Sequence, residues 1–196
     1  MKRSDEHWAQ RAKKEGYRSR ASYKLLQLDE KYNLITKSSL IFDLGCAPGG
    51  WSQVIAEKIN VSAKCIAIDI LNMQRVDKVE FHQIDLFSNE FKDMMNKNSK
   101  CVDLIVSDIS ANLSGIKLVD DENNFELNLF CIEASKEMLN PNGALLIKTF
   151  NNSKLKEVVN KFNDVFSTVC VEKPVASKTS SSEAVSYTHL TLPTKA

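Results

Sequence analysis

No run of eighteen apolar residues occurs among the 196 of this chain, so no stretch is long enough to cross a bilayer as a helix. The opening residues Met-Lys-Arg-Ser-Asp-Glu-His are charged where a secretory signal needs an apolar segment, and a soluble, cytoplasmic protein is expected. Histidine is scarce: the three, at 7, 82 and 189, stand too far apart to suggest ligands, so no metal centre is predicted. Five cysteines, at 46, 65, 101, 131 and 170, are an odd number without a Cys-x-x-Cys pair, which argues against a disulfide framework and for buried free thiols. No cysteine–histidine dyad for nucleophilic catalysis is legible.

Two phosphate-binding signatures are missing as well. The turn Asp43-Leu44-Gly45-Cys46-Ala47-Pro48-Gly49-Gly50-Trp51 follows the apolar run Leu40-Ile41-Phe42, as a buried strand leading into a helix would. Its glycines lack the spacing of a dinucleotide pyrophosphate site, which disfavours an NAD-linked oxidoreductase, and no Lys-Ser/Thr follows them as in a P-loop. What the turn suits is a nucleoside carrying no phosphate. Glycine backbone takes positive φ and admits a ligand closely, and free N–H groups at the next helix start provide polar anchors. A turn that only links strand to helix is the plain alternative.

The length suits one core, hence one domain. From residue 39 onward short apolar runs alternate with amphipathic stretches. Strands are predicted over 39–44, 65–70, 79–84, 102–107, 144–150 and 168–171, and helices over 22–32, 51–59, 89–95, 124–139 and 153–162. In the segment 124–139, Phe125, Leu129, Ile132 and Leu139 recur at helical period. Such alternation specifies a mostly parallel sheet with helices on both faces. Ligands of these sheets bind at the carboxyl ends of the strands, and here four strands end in or near an acid: Asp43, Asp69, Asp85 and Asp108. Asp69 stands about twenty-five residues after the glycine turn, where an acid receives the ribose hydroxyls of a bound nucleoside. A single strand-end acid is usually a helix cap or turn former, but four in succession are not explained that way. The fifth strand ends instead in Lys148, within Leu-Leu-Ile-Lys-Thr-Phe. A charged lysine in an apolar strand must snorkel or have a partner at the site, and the partner is the reading adopted.

Net charge is only +1, yet residues 1–24 carry eight Lys/Arg against three Asp/Glu. With Trp8, Tyr17 and Tyr23 interleaved, this front end reads as a surface on which Arg11, Lys13, Lys14, Arg18 and Arg20 contact RNA phosphates and aromatics stack on unpaired bases. A solvated helix face is the alternative.

Four separated segments resemble the FtsJ/RrmJ family: Arg-Ser-Arg-Ala-Ser-Tyr-Lys-Leu (18–25), Asp-Leu-Gly-Cys-Ala-Pro-Gly-Gly-Trp-Ser-Gln (43–53), Ser-Asp-Ile-Ser-Ala-Asn-Leu-Ser-Gly (107–115) and Leu-Ile-Lys-Thr-Phe (146–150). The resemblance runs over residues 4–184. It implies a Rossmann-like methyltransferase with a mostly parallel seven-stranded sheet, acting as a ribose 2′-O-methyltransferase of RNA with S-adenosylmethionine as cofactor. It further implies the bacterial large-subunit type, whose target is a uridine in the A-loop of 23S rRNA. By the same resemblance Gly49, Trp51, Asp69, Asp85 and Asp108 contact the cofactor, and Lys24, Asp108, Lys148 and Glu183 form the family's catalytic tetrad. Lys148 is then base or orienting group. A free lysine has a pKa of about 10.4 and must lose about two units to act as base near neutrality. Relatives that share the tetrad methylate tRNA or the mRNA cap, and a non-catalytic RNA-binding assembly factor is the alternative from another class. The partner implied is ribosomal RNA or the large ribosomal subunit, and a monomer is expected. After Glu183 the run Ala-Val-Ser-Tyr-Thr-His-Leu-Thr-Leu-Pro-Thr-Lys-Ala departs from the family in register and composition. The methyltransferase domain is therefore assigned to 1–184, and 185–196 reads as a foreign tail that leaves the last strand in doubt.

Overall fold

The computed structural model describes residues 2–112, 114–177 and 183–189. Helices α1 (Lys2–Glu15) and α2 (Ser22–Tyr32) precede β1 (Leu40–Leu44), α3 (Gly50–Lys58), β2 (Lys64–Asp69), β3 (Val79–Gln83), α4 (Asn89–Lys97) and β4 (Val102–Ser107). There follow α5 (Lys117–Met138), β5 (Leu139–Phe150), α6 (Leu155–Asn163), β6 (Thr168–Glu172) and β7 (Glu183–His189). The strands form one sheet in the order β3-β2-β1-β4-β5-β7-β6, with β7 antiparallel to both neighbours and the other neighbouring pairs parallel. The order reverses between β1 and β4, and at that switch point the chain leaves the strand ends in opposite directions and opens a crevice.

Successive residues of each strand feed opposite faces. Phe42, Ile105, Leu145 and Ile147 pack under α4, α5 and α6 with Phe91, Phe125, Ile132, Met138 and Phe162. Ile41, Leu104, Val106 and Leu146 pack under α2 and α3 with Leu25, Leu28, Trp51, Val54 and Ile55. Asp43, Asp108 and Lys148 continue the second set in the strand alternation, so they emerge on the side covered by α2 and α3. That pair of helices is fixed by Asp29, whose Oδ1 accepts from Leu34 N and Ile35 N at 2.8 Å while Oδ2 meets Lys58 Nζ at 2.7 Å. The N-terminal helix α1 docks through Trp8 and Ala12 against Tyr23 and Ala176.

Several boundaries move. The helix α5 starts at Lys117, seven residues before the predicted 124, because Leu118 (78% exposed) and Val119 (42%) face solvent and mask the apolar period of its first turns. Strand β5 begins at Leu139, pairing with Val102 before a register shift, then runs regularly from Ala144. The last strand, in doubt from the sequence, is present: β7 lies between β5 and β6, with Glu183 opposite Phe150 and Val185 opposite Lys148. The side chains of β7, the polar segment 178–182 and residues 190–196 lie outside the described residues. Cys46, Cys65 and Cys131 are buried as expected, whereas Cys101 is exposed and Cys170 half-buried. Among the described residues no helix is long and apolar enough to cross a membrane.

Candidate active site

A cavity of 730 Å³ opens at the carboxyl ends of β1 to β4, with Gly45, Ala47, Asp69, Asp85 and Asp108 in its walls. That volume lies within the range of about 300–1,000 Å³ usual for small-molecule sites. Three of the four predicted acids therefore meet on one cavity. Asp69, the last residue of β2, holds the loops around it: its Oδ2 accepts from Ala47 N and its Oδ1 from Leu71 N, both at 2.8 Å. Asp85 Oδ1 accepts from Phe87 N at 2.9 Å and shapes the loop after β3. Ile70, Leu71 and Phe87 add apolar, open faces to the wall, at 62%, 64% and 67% exposed. An exposed aromatic beside carboxylates suits a heterocyclic base joined to a hydroxylated sugar.

The lysine of β5 has the partner that its setting demanded. Lys148 is 6% exposed, donates from Nζ to the Asp108 carbonyl oxygen, and stands 3.3 Å from Asp108 Oδ1. Asp108 Oδ1 is buried and accepts no hydrogen bond from the described residues. An ammonium has three donors, and the one on the Asp108 carbonyl with the carboxylate 3.3 Å away leaves capacity for a further polar group. Lys24 is 3% exposed on α2, the helix that covers this side of the sheet.

Asp43, the fourth acid, is not in the cavity wall but beneath it. It is fully buried, and its Oδ2 accepts from Ser52 Oγ at 2.6 Å in the first turn of α3. Burial raises its pKa to about 7; the Ser52 bond opposes the rise, and the negative fields of Asp108 and Asp69 add to it. The ionised form is thus disfavoured in the folded state, so stability falls as pH rises from the free value of 3.8 through 7 and is level above that. Asp43→Asn removes this ionisation while keeping an acceptor for Ser52. Relative to wild type, the variant should gain about 2 kcal/mol between pH 5 and 8 in denaturant melts. A difference independent of pH would show that Asp43 does not titrate there.

The glycine turn is built as a cradle, but its parts divide. Gly49 has φ +106°, and a Cβ there would stand 2.5 Å from Arg18 Nη1 and 2.8 Å from Met73 Sδ. Gly45 has φ +71°, and a Cβ would meet the Ile109 side chain at 2.7 Å. Neither position admits a side chain without displacement. Trp51 is 2% exposed and turned into the core under α2, with Nε1 donating to Ala21 O at 2.9 Å. Its indole fastens α3 to α2 and does not line the cavity.

The basic front end differs from the expected phosphate-contact surface. The Arg18 guanidinium donates to three backbone carbonyls, Pro48 at 3.1 Å, Gln74 at 2.7 Å and Arg75 at 2.8 Å. Arg11 is paired with Glu15 at 2.8 Å and lies over the Trp8 and Tyr23 rings. Tyr23 is buried with its hydroxyl on Glu15, and Tyr17 is half-buried with its hydroxyl on Glu57, so neither ring is free to stack on a base. Lys13 and Lys14 are exposed. Charge counting could not separate these fates, because a guanidinium satisfied by carbonyls and one open to solvent look alike in sequence.

Sequence reasoning passed over Phe87, Asn112, Asn123 and Glu126, all in the cavity wall, and Asn124, whose Oδ1 accepts from Ala111 N at 3.0 Å and holds the loop after β4. Phe87, an aromatic residue two positions after a strand-end acid, was the one legible signal.

Residues 17–188 match the FtsJ-like methyltransferase family. Ribosomal RNA large subunit methyltransferase E of Methylobacillus flagellatus is 41% identical over 181 residues, covering 91% of this chain and 87% of that protein. The protein of the same name from Acinetobacter baylyi is 36% identical, with 91% and 84% covered. A crystal structure of a ribosomal RNA methyltransferase from Plasmodium falciparum superimposes with a TM-score of 0.74 at 30% identity, covering 89% of this chain and 98% of that one. A sheet with its order reversed between β1 and β4, a glycine cradle at the switch point and a match running nearly the whole length lead to one statement: this chain is an enzyme of the FtsJ-like methyltransferase family.

Proposed function

We propose that this enzyme transfers a methyl group from S-adenosylmethionine to a ribose 2′-hydroxyl of large-subunit ribosomal RNA, its target a uridine in the A-loop of 23S rRNA. The observation that carries the reading is the Lys148–Asp108 pair, whose aspartate lines a nucleoside-sized cavity. Relatives named for large-subunit ribosomal RNA support the substrate. The cavity suits the cofactor on its own chemistry. Leu71 and Phe87 offer faces for a base, Asp69 offers oxygens to ribose hydroxyls, and the carboxylates of Asp69 and Asp85 in the wall favour a cationic ligand. Gly49, Asp85 and the backbone at Trp51 complete the proposed cofactor contacts.

S-adenosylmethionine supplies an electrophilic methyl group on a sulfonium. The protein's work is orientation, because an in-line displacement gains most from holding the nucleophile on axis. In this reading Asp108 holds the Lys148 ammonium, and Lys148 holds the ribose hydroxyl. One C–S bond breaks and one C–O bond forms, and the hydroxyl proton passes to the Lys148 amine, or to water if Lys148 stays charged. Lys24 and Glu183 complete the tetrad. Lys24 is supported by its burial on the helix over this face, and Glu183 by the β7 register, which sets its backbone beside Phe150, two residues beyond Lys148. The methyltransferase unit, expected from the sequence to end at 184, is taken to run through β7, which pairs with both β5 and β6, to residue 189, and to work as a cytoplasmic monomer.

The test supplies methyl-labelled S-adenosylmethionine to purified protein with free 23S rRNA, large subunits, tRNA or capped mRNA, and maps the labelled riboses. Label on a large-subunit uridine is expected. Label only on tRNA or the cap would transfer the substrate to those alternatives, and cofactor binding without transfer would leave an assembly factor.

A further inference from the structure

We propose that Arg18 is a positioning residue for cofactor binding, its guanidinium locking together the two loops that wall the cavity. The proposal rests on the reading of that cavity as the cofactor site. Arg18 lies in the strap of residues 16–21 between α1 and α2, a basic stretch with no catalytic assignment above. The strap is fastened to α3 at several points, and around Arg18 by Gln53, whose Oε1 accepts from Arg18 N at 2.8 Å and whose Nε2 donates to Gly16 O at 3.0 Å. From that anchored backbone the side chain crosses the glycine turn. Its Nη1 donates to Pro48 O on one loop and Gln74 O on the other, and its Nη2 donates to Arg75 O.

The two loops belong to different β-α units. Pro48 follows cavity-lining Ala47 after β1, and Gln74 and Arg75 follow cavity-lining Asp69, Ile70 and Leu71 after β2. Near the strand ends they are tied by Gly45 N and Cys46 N on Ile68 O and by Ala47 N on Asp69 Oδ2. Farther out Arg18 ties them by side chain. The Ala47 bond uses a carboxylate oxygen of Asp69 that a bound ribose would share, whereas the Arg18 bonds use only carbonyls of residues that do not line the cavity. The outer tie therefore persists when the inner one is contested. A planar fork with five fixed donors can serve three carbonyls at once, which a lysine ammonium of point-like geometry cannot do in these directions.

Gly49 bears the mark of this arrangement. Its missing Cβ leaves the space through which the Arg18 guanidinium passes on one side and Met73 packs on the other. Three of the five guanidinium donors are held by carbonyls, and a clamp and a phosphate contact predict opposite results.

Arg18→Ala and Arg18→Lys are compared with wild type by calorimetry with S-adenosylmethionine, by RNA binding across a salt series, and by amide hydrogen exchange. Both variants should lose about tenfold or more in cofactor affinity. Both should keep the wild-type slope of log K against log salt, and both should exchange faster in 45–49 and 72–76 than elsewhere. Millimolar methylguanidinium should restore part of the cofactor affinity to Arg18→Ala and none to Arg18→Lys. Unchanged cofactor affinity with a shallower salt slope, by about 0.7 for one lost contact to a single strand, would overturn the proposal in favour of a phosphate contact. Loop exchange equal to wild type would overturn it whether or not the cofactor binds. Absence of S-adenosylmethionine binding by wild type would instead strike the proposed function, with the exchange result still deciding the clamp.

Discussion

Lys148→Ala should lower the rate of methyl transfer by about a hundredfold or more while cofactor affinity stays within about twofold of wild type. The asymmetry follows from where the side chain lies. Lys148 is paired with Asp108 and is not among the cavity-lining residues, so its removal leaves the proposed cofactor surfaces intact and takes away the interaction proposed with the reacting hydroxyl. Truncation also takes the ammonium from beside the Asp108 carboxylate, whose side chain is 25% exposed and can turn to water instead. Lys148→Arg separates the two roles of the amine. A guanidinium can orient a hydroxyl and pair with Asp108, but it gives up no proton at usable pH. An inactive arginine variant supports proton transfer to Lys148; one whose activity rises with pH as in wild type would reduce Lys148 to an orienting group. Single-turnover rates across pH, with cofactor affinity measured in parallel, distinguish these outcomes.

Asp69→Ala should weaken S-adenosylmethionine binding by about 2 to 4 kcal/mol, read by calorimetry. Part of that loss is direct, since a carboxylate accepting from two ribose hydroxyls makes charge-assisted bonds. Part comes from the cradle, because the same oxygens hold Ala47 N and Leu71 N, and the alanine frees both. Asp69→Asn keeps one acceptor oxygen and loses the charge, so its affinity should fall between the two. Wild-type affinity in the alanine variant would remove Asp69 from the cofactor site and, with it, the assignment of the cavity.

The two effects act on different steps because the strand ends lie on different sides of the switch point. β1 and β2 furnish the cradle, with Ala47 and Asp69 in the wall. β4 and β5 furnish the lysine–aspartate pair, of which Asp108 lines the cavity. Arg18, from outside the sheet, braces the first half and touches none of the second.

The order of strands and helices was legible because each signal is local. Alternation in Ile41-Phe42 and Leu104-Ile105-Val106 reflects a period of two that sorts side chains to opposite faces whatever lies next door. The glycine turn and the acids at strand ends were readable for the same reason, since backbone freedom at Gly45 and Gly49 and the strand–turn–helix context need no distant partner. Where local signals stopped, so did the reading. The opening turns of α5 carry exposed Leu118 and Val119, and a helix that turns apolar residues to solvent hides its own period.

The fate of each charge was decided only by the tertiary structure. Lys148 and Asp108 are 40 residues apart in sequence and meet because β4 and β5 pair in parallel with Ser107 opposite Ile147. Arg18 finds its carbonyls 30, 56 and 57 residues away, and nothing in the run Arg-Ser-Arg says that one guanidinium would be spent on backbone. Trp51, in the middle of a cofactor motif, proved to be core because α2 offers the Ala21 carbonyl to its indole. The sequence by itself determined which residues could be strand, turn, acid or base, since those properties belong to a residue and its near neighbours. Which of them would share a site depended on sheet register and helix docking, since the strength of a charge or a donor is set by what stands within a few ångströms of it.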